Sequence, residues 1–193
     1  MHEIASTCVS VLRCGKVREG KIYIPVKHNN IMKPINERRI RQAKRLLQEV
    51  YSMIPKFECV DGCTECCGAT LWTYIEWKLI SDWLRERGRE ERFAKDLFEK
   101  CPYTENGKCS IYEVRPLVCR LFGVTKRLKC PYKEPEFYLP DEFADKLVEA
   151  VKRISIDLHE YRKVTDETKR FVAELKQEYL SISKQQSICM NIS

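Results

Sequence analysis

Apolar residues recur with a helical period in two long segments of the first half of the chain. The first segment covers residues 36–53 and stops before Pro55, because a proline disfavours helical backbone at the residue before it. The second covers residues 71–87, and Gly88 after it suits a C-terminal cap. Each segment therefore predicts an amphipathic helix that buries one face. The apolar positions are Ile40, Ala43, Leu46, Leu47 and Val50, then Trp72, Ile75, Leu79, Ile80, Trp83 and Leu84.

Two further helices are predicted near the end of the chain. Residues 143–158 and 171–180 repeat apolar side chains at helical spacing, and Thr165 in the intervening turn suits an N-cap. Two consecutive helices of this kind form an antiparallel hairpin, which packs either on the core of the chain or on a partner. The apolar positions are Phe143, Leu147, Val148, Val151, Ile154 and Leu158, then Phe171, Val172, Leu175, Tyr179 and Leu180.

Two shorter elements are also predicted. Residues 91–100 predict a short helix, with Phe93, Leu97 and Phe98 facing inward. Residues 21–26 alternate polar and apolar side chains, which predicts one edge strand.

Eleven cysteines in 193 residues are the outstanding feature of the composition. The first apolar run is interrupted by polar residues and ended by Arg13, so no export signal is expected, and no stretch reaches the roughly 18 apolar residues of a membrane span. We therefore expect a soluble, cytoplasmic protein without a membrane, where clustered cysteines are more often metal ligands than disulfides. Disulfide-rich intracellular proteins of hyperthermophiles remain an alternative, because the chain is rich in Lys and Glu.

The net charge of +7 is spread along the chain. The densest basic run, with Arg38, Arg39, Arg41, Lys44 and Arg45, lies in the first predicted helix. We interpret it as a solvated helix face, and no nucleic-acid-binding motif accompanies it. Nucleic acid is therefore not an expected partner.

The cysteines that are candidates for metal binding fall in two sets. The first is the close cluster Cys59, Cys63, Cys66 and Cys67, and the second consists of Cys101, Cys109, Cys119 and Cys130. Four thiolates satisfy a tetrahedral zinc ion or a cubane iron–sulfur cluster, and none of the three histidines lies in this region. An all-cysteine metal centre is therefore expected, with an iron–sulfur cluster favoured and Zn²⁺ as the alternative.

Local geometry limits how the eight thiols can be shared. Asp61-Gly62 predicts a loop, with a helix beginning near Cys66. Adjacent Cys66 and Cys67 should point in different directions, and a regular hairpin around Asn106-Gly107 would put Cys101 and Cys109 on opposite faces. One metal site with spare thiols and two separate sites both fit these expectations.

The C-x3-C-x2-C spacing of Cys59, Cys63 and Cys66 also matches the cluster motif of radical S-adenosylmethionine enzymes. Those enzymes need a series of strands for a βα barrel, and the helical pattern after Cys67 offers none. Radical chemistry is therefore not expected. Three further cysteines, Cys8, Cys14 and Cys189, lie outside the clusters and are interpreted as small buried hydrophobic residues.

The close cluster together with the block CSIYEVRPLVCRLF at residues 109–122 resembles the YkgJ-type cysteine-cluster family of zinc- or iron-chelating domains. The resemblance covers about residues 59–130. Its C-x3-C opening is similar to the flagellin lysine N-methylase branch, which implies an iron–sulfur cluster, although this chain is much shorter than those enzymes. The metal ligands implied by the resemblance are Cys59, Cys63, Cys66, Cys67, Cys101, Cys109, Cys119 and Cys130.

Two arginines of the same block can act on a metal centre. Arg115 and Arg120 can offset the negative charge of thiolates and donate hydrogen bonds to sulfur or to Glu113. An ordinary structural pairing of Glu113 with an arginine is the equally weighted alternative.

These observations predict three regions: an N-terminal arm at 1–34, a cysteine-cluster metal-binding domain at 35–138, and a C-terminal helical hairpin and tail at 139–193. The expected fold is mainly α, with an irregular metal-nucleated core. The leading hypothesis is an iron–sulfur protein with a structural or electron-transfer role, working with a protein partner that docks on the helical tail. The alternatives are a zinc-stabilised interaction module and a lysine N-methylase-like enzyme using S-adenosylmethionine. No glycine-rich nucleotide-binding turn supports the latter.

Overall fold

The computed structural model describes residues 35–94 and 99–190, with side chains as far as residue 186. These residues form five α-helices, one short β-hairpin and one 3₁₀ turn, so the fold is mainly helical as predicted. The helices are α1 (Glu37–Ser52), α2 (Tyr74–Glu86), α3 (Leu117–Leu121), α4 (Asp141–Glu160) and α5 (Asp166–Met190). The hairpin strands are β1 (Thr104–Glu105) and β2 (Lys108–Cys109), and the 3₁₀ turn is Tyr112–Val114.

The two helices predicted in the first half are both present. Asn36 caps α1 by accepting a hydrogen bond from the backbone N–H of Arg38 at 2.8 Å. Helix α2 begins three residues later than the apolar pattern indicated, because Thr73 and Glu76 form a capping box that sets its first turn. Gly88 follows its end with a φ of +62°, the left-handed conformation that glycine adopts readily.

The predicted C-terminal hairpin is formed by α4 and α5. The Thr165 hydroxyl accepts from the N–H of Thr168 at 3.2 Å, which confirms the predicted N-cap of α5. The buried Asp157 carboxylate accepts from the N–H of Thr165 at 2.8 Å and closes the turn between the helices. Leu180 is 46% exposed, so the apolar stripe predicted for α5 ends before it.

The main hydrophobic core lies where α4 packs against α1, α2 and α5, and α5 also contacts α1. The helical hairpin of α4 and α5 therefore packs on the core of the chain, which is the first of the two alternatives given for its buried face. Side chains at the centre of this core are fully or almost fully buried, and each buried Val, Leu, Ile or Phe contributes about 1.5–3 kcal/mol. They include Ala43, Leu47, Val50, Phe143, Leu147, Ala150, Ile154, Leu158, Val172 and Leu175.

A second, smaller hydrophobic cluster supports the cysteine-rich region. It joins α2 to the hairpin and the 3₁₀ turn through Ile80, Leu84, Tyr103, Ile111 and Val114. The half-buried Trp72, Cys101 and Cys109 pack against this cluster. The cysteine-rich region thus rests on a small apolar base of its own, beside the main helical core.

The helix predicted for residues 91–100 is contradicted in its described part. Residues 91–94 are not helical, and Phe93 is 54% exposed rather than facing inward. The segment is held out of a helix because the Glu91 carboxylate accepts from Trp77 Nε1 at 3.0 Å and from the Ser81 hydroxyl. These contacts come from α2, so a local apolar pattern could not reveal them.

Several predictions lie outside the described residues. They are the arm at 1–34 with its edge strand, Leu97 and Phe98, and the side chains of Cys8, Cys14 and Cys189. Within the described part of the chain, no helix combines the length and apolar character that crossing a membrane requires.

Candidate metal centre

The first cysteine set lies on an irregular segment that ends in a backbone bridge. Gly62 has a φ of +76°, which confirms the predicted loop. The helix predicted near Cys66 is absent: the N–H of Cys67 bonds to the carbonyl of Thr64 at 3.0 Å in a turn. The N–H of Cys101 then bonds to the carbonyl of Cys67 at 3.1 Å, beside a bridge between residues 68 and 100. Backbone pairing therefore makes Cys67 and Cys101 neighbours.

The hairpin that follows carries Cys109. Asn106 and Gly107 both have positive φ, as expected for a two-residue hairpin turn, and Thr104 pairs with Cys109 in the ladder. Cys101 lies before the ladder, because a turn joins its carbonyl to the N–H of Thr104 at 3.0 Å. The hairpin therefore does not separate Cys101 and Cys109 onto opposite faces, and the pKa of Cys101 is raised by burial and by the neighbouring Cys109.

Helix α3 supplies Cys119 from a third segment. Burial raises the pKa of this thiol, and the nearby Cys101 and Cys109 raise it further. The Thr70 hydroxyl beside it acts in the opposite direction, because it donates a hydrogen bond to the thiolate. Cys119 therefore faces the thiols of the hairpin and of the first cysteine set.

The adjacent pair Cys66 and Cys67 shares a hydrogen bond. Donation from the Cys66 thiol lowers the pKa of Cys67 to about 6, and the Thr104 hydroxyl and the Arg115 guanidinium assist against the effect of burial. The same hydrogen bond raises the pKa of Cys66, as do burial and the nearby Cys67 and Cys59. These effects indicate that six thiols lie in one region, and we call them the thiol cluster: Cys59, Cys66, Cys67, Cys101, Cys109 and Cys119.

Arg115 makes the contact with sulfur that the sequence predicted. Its Nη1 lies 3.8 Å from Cys59 Sγ, and its Nη2 donates to the carbonyl of Phe57 at 3.3 Å. The guanidinium stacks on Tyr112 with its carbon 4.0 Å from the ring centroid. Burial raises the pKa of Cys109 and Cys119, and the positive charge of Arg115 partly opposes that rise. The same charge helps to lower the pKa of Cys67.

Arg120 has a different role. It donates to the backbone carbonyls of Arg115 at 2.8 Å and Glu113 at 2.7 Å, and it stacks on Tyr51. The Glu113 carboxylate instead accepts from Trp83 Nε1 at 3.2 Å and lies 3.6 Å from Arg87. Arg120 and Glu113 therefore have structural roles, as the alternative interpretation stated. The arginine that pairs with the Glu113 carboxylate is Arg87, and Arg120 bonds to backbone carbonyls instead.

The other two predicted ligands, Cys63 and Cys130, are not members of the thiol cluster. Cys63 follows a turn in which its N–H bonds to the carbonyl of Val60 at 3.0 Å. Cys130 is half-buried against the main hydrophobic core. All eight cysteines are free thiols, and ligation by each of them stays a prediction.

The cysteine sulfurs of the thiol cluster lie in one region, but they are not arranged around a single point. Within residues 35–94 and 99–190, no group of three or more His, Cys, Asp or Glu side chains is arranged to hold a metal ion. Cys59 and Cys66 are the exposed members of the thiol cluster, and both belong to the irregular loop. Closure of this loop onto the other thiols is the rearrangement that a metal would require.

Two buried polar atoms indicate that the site suits an anionic group. Thr104 Oγ1 and Arg115 Nε are buried without a hydrogen-bond partner in the described residues. Such atoms are costly when unpaired, and both side chains adjoin the thiols. A thiolate-ligated metal centre would offer sulfur acceptors to this hydroxyl and guanidinium, so the residues present fit such a group.

Residues 58–143 match the model of the CxxCxxCC family, which is described as "Putative zinc- or iron-chelating domain". We call the matched segment the CxxCxxCC domain. The match confirms the resemblance seen in the sequence and supports metal binding, and the CxxCxxCC domain contains all eight candidate cysteines. No curated protein and no solved structure matches the chain.

Sequence reasoning missed Glu76, which positions part of the CxxCxxCC domain. This carboxylate is 4% exposed and accepts from Thr73 at 2.9 and 2.8 Å, from the Tyr51 hydroxyl at 3.1 Å and from the N–H of Leu117 at 2.7 Å. It thereby joins α1 and α2 to the first turn of α3, which carries Cys119. The Thr-x-x-Glu spacing could be recognised in the sequence as a capping box. The bond from the Glu76 carboxylate to α3 could not be recognised there.

Proposed function

We propose that the CxxCxxCC domain holds an iron–sulfur cluster with a structural or electron-transfer role, in a cytoplasmic protein that works with a protein partner. The observation that carries the proposal is that main-chain pairing brings the segments of Cys67, Cys101 and Cys109 together. The Arg115 guanidinium lies 3.8 Å from Cys59 Sγ beside them, and the Thr104 hydroxyl is buried there. Sulfur is the donor that iron–sulfur clusters require, and cytoplasmic thiols stay reduced and available.

The number and position of the thiols favour iron–sulfur over zinc. A structural zinc ion needs four ligands in a closed tetrahedral site, whereas the thiol cluster has six members and the CxxCxxCC domain contains two more cysteines. One cluster with spare thiols, or two clusters, would use such an excess. Exposed Cys59 and Cys66 put the site at the surface, where a bound cluster could exchange electrons with a partner.

A bound centre would also complete the packing of its region. Cys101 and Cys109 adjoin the small hydrophobic cluster under the hairpin, while Cys59 and Cys66 lie on the exposed loop. Ligation would connect this loop to that cluster, because metal binding and local folding are coupled. In this sense we propose that metal nucleates the irregular part of the core.

Metal and sulfide analysis of protein purified anaerobically after growth with iron tests the proposal. The expected result is brown protein that contains iron and acid-labile sulfide. Colourless protein with stoichiometric zinc and no sulfide would contradict it, and would favour the zinc-stabilised module that the family description also allows.

Single cysteine variants test the ligand set. Replacing Cys109 or Cys119 with Ser should lower the metal content and the stability, because incomplete coordination weakens a site that is coupled to folding. Cys189→Ser is the matched control and should keep its full metal content. Full retention in both Cys109→Ser and Cys119→Ser would exclude the thiol cluster as the site.

A further inference from the structure

Helix α1 presents a basic face on the side away from the main core. Arg38, Arg41 and Arg45 are exposed and, with Gln42, line an open hollow of about 400 Å³. We call these four residues the arginine face. The opposite side of α1 is buried through Ile40, Ala43, Leu47 and Val50, so the backbone that carries the arginines is held by the core.

The arginine face brings three exposed guanidiniums together on one side of a helix. In the part of the chain that the structure describes, the guanidiniums of Arg38, Arg41 and Arg45 form no ion pair and no hydrogen bond. Some other arginines are paired with carboxylates: Arg127 with Asp145, and Arg153 with Glu149 at 2.8 Å. Lys44, on the same helix, is likewise paired with Asp82 at 2.5 Å.

The spacing of the arginine face suits carboxylates on another chain. Positions 38, 41 and 45 lie on one side of a helix and span about 10 Å along its axis. Unpaired guanidiniums bind carboxylates through two parallel hydrogen bonds, and a rigid helix fixes their separation. A partner segment with carboxylates about one helical turn apart would match them.

We propose that the arginine face docks an acidic segment of a protein partner. Arg39 Nη1 donates to the carbonyl of Arg162 at 3.2 Å, so this end of α1 adjoins the turn between α4 and α5. The surface is thus continuous with the helical tail on which a partner was expected to dock. The partner itself belongs to the proposed function, but the binding step needs no metal.

A protein fits this face better than a nucleic acid does. Proteins that bind nucleic acids through the backbone commonly make about 6–10 phosphate contacts, and those that bind single strands add aromatic stacking. The arginine face has three cations and no aromatic side chain.

The test is binding of a labelled helical peptide with Glu at positions i, i+3 and i+7, measured by fluorescence anisotropy at several salt concentrations. The uncharged control probe is the same peptide with Gln in place of each Glu. Arg38→Gln/Arg41→Gln/Arg45→Gln should weaken binding of the Glu peptide at least tenfold, and the Gln peptide should bind at least tenfold more weakly to the unmodified chain. The control variant, with Lys126, Lys176 and Lys184 changed to Gln, removes the same charge from exposed positions elsewhere and should change affinity less than threefold.

Three results would overturn the proposal. They are no binding of the Glu peptide, equal losses in the two triple variants, and tighter arginine-dependent binding of a 20-nucleotide single-stranded RNA than of the peptide. Circular dichroism checks the fold, and Arg41→Gln alone should weaken binding at least twofold if the triple variant is unstable. Measurements with metal-free and metal-loaded protein separate the proposals, because lost metal with intact peptide binding contradicts only the iron–sulfur assignment.

Discussion

Gly123→Ala should be strongly destabilising, because two separate costs meet at this position. Gly123 has a φ of +86°, and an added Cβ would lie 2.2 Å from Cε1 and 2.5 Å from Cδ1 of Phe57. The left-handed backbone costs an L-residue about 1–2 kcal/mol. Displacing a ring in a packed site costs about 1–3 kcal/mol more. The free energy of unfolding should therefore fall by about 2–5 kcal/mol.

The displaced ring also links this change to the candidate metal centre. The Phe57 carbonyl accepts from the Tyr112 hydroxyl at 2.9 Å and from Arg115 at 3.3 Å, just before the chain reaches Cys59. A shift of Phe57 should therefore lower metal retention together with stability. Chemical denaturation followed by circular dichroism measures the first effect, and a midpoint of thermal unfolding lower by about 5–15 °C is expected for a chain of this size.

Two other glycines separate the two costs. Gly88 has a φ of +62° with nothing within 4 Å of an added Cβ, so Gly88→Ala measures backbone strain alone at about 1–2 kcal/mol. Gly68 is open and lacks a positive φ, so Gly68→Ala should change stability by less than about 0.5 kcal/mol. A loss in Gly123→Ala no larger than in Gly88→Ala would refute the steric argument. In the Gly123→Ala background, Phe57→Leu should cost at least about 1 kcal/mol less than it does alone.

Three further predictions concern charge and ligands. Asp82→Asn should lower stability by about 1–3 kcal/mol at pH 7, because Lys44 and Lys78 would lose a largely buried partner. Although burial raises the Asp82 pKa, the lysines lower it overall, so this contribution is present above about pH 4 and is lost as the pH falls below it. Arg115→Gln should at least halve the metal retained after a chelator challenge, because it removes the positive charge beside Cys59 Sγ. S-adenosylmethionine should show no micromolar binding in calorimetry.

Each of these predictions has a control or a contrary outcome. Glu178→Gln breaks the exposed pair with Lys146 and should cost less than about 1 kcal/mol; an equal loss in Asp82→Asn would show that burial adds nothing there. Arg170→Gln removes an exposed charge from α5 and should leave metal retention unchanged. Unchanged retention in Arg115→Gln would exclude its electrostatic role. Micromolar S-adenosylmethionine binding would revive the methylase-like alternative.

The helices were predictable because their apolar residues repeat over many turns. Residues such as Leu47 in α1 and Leu147 in α4 are buried where the helical period placed them. Short segments were not predictable in the same way. Residues 91–94 are not helical because Glu91 is held by side chains of α2, a contact that lies outside the local pattern of the segment.

The candidate site was predictable by residue type and only partly by geometry. Cysteine content and spacing identified the region, and the contact of Arg115 with sulfur was one of two alternatives that the sequence left open. The turn before Thr104 brings Cys101 beside Cys109, but it depends on pairing with residues 67–69, which no local pattern encodes. The unpaired Thr104 hydroxyl could be found only after the chain had folded around it.

The backbone pairing of Cys67 with Cys101 has a consequence for chain entropy. It closes a loop that contains the whole of α2 through a main-chain hydrogen bond. The entropic cost of closing such a loop grows only slowly with its length, and burial of α2 on α1 and α4 helps to offset it. A metal centre that used Cys67 and Cys101 would therefore bridge two segments that a main-chain hydrogen bond also joins, so little of its binding energy would be spent on closing this loop.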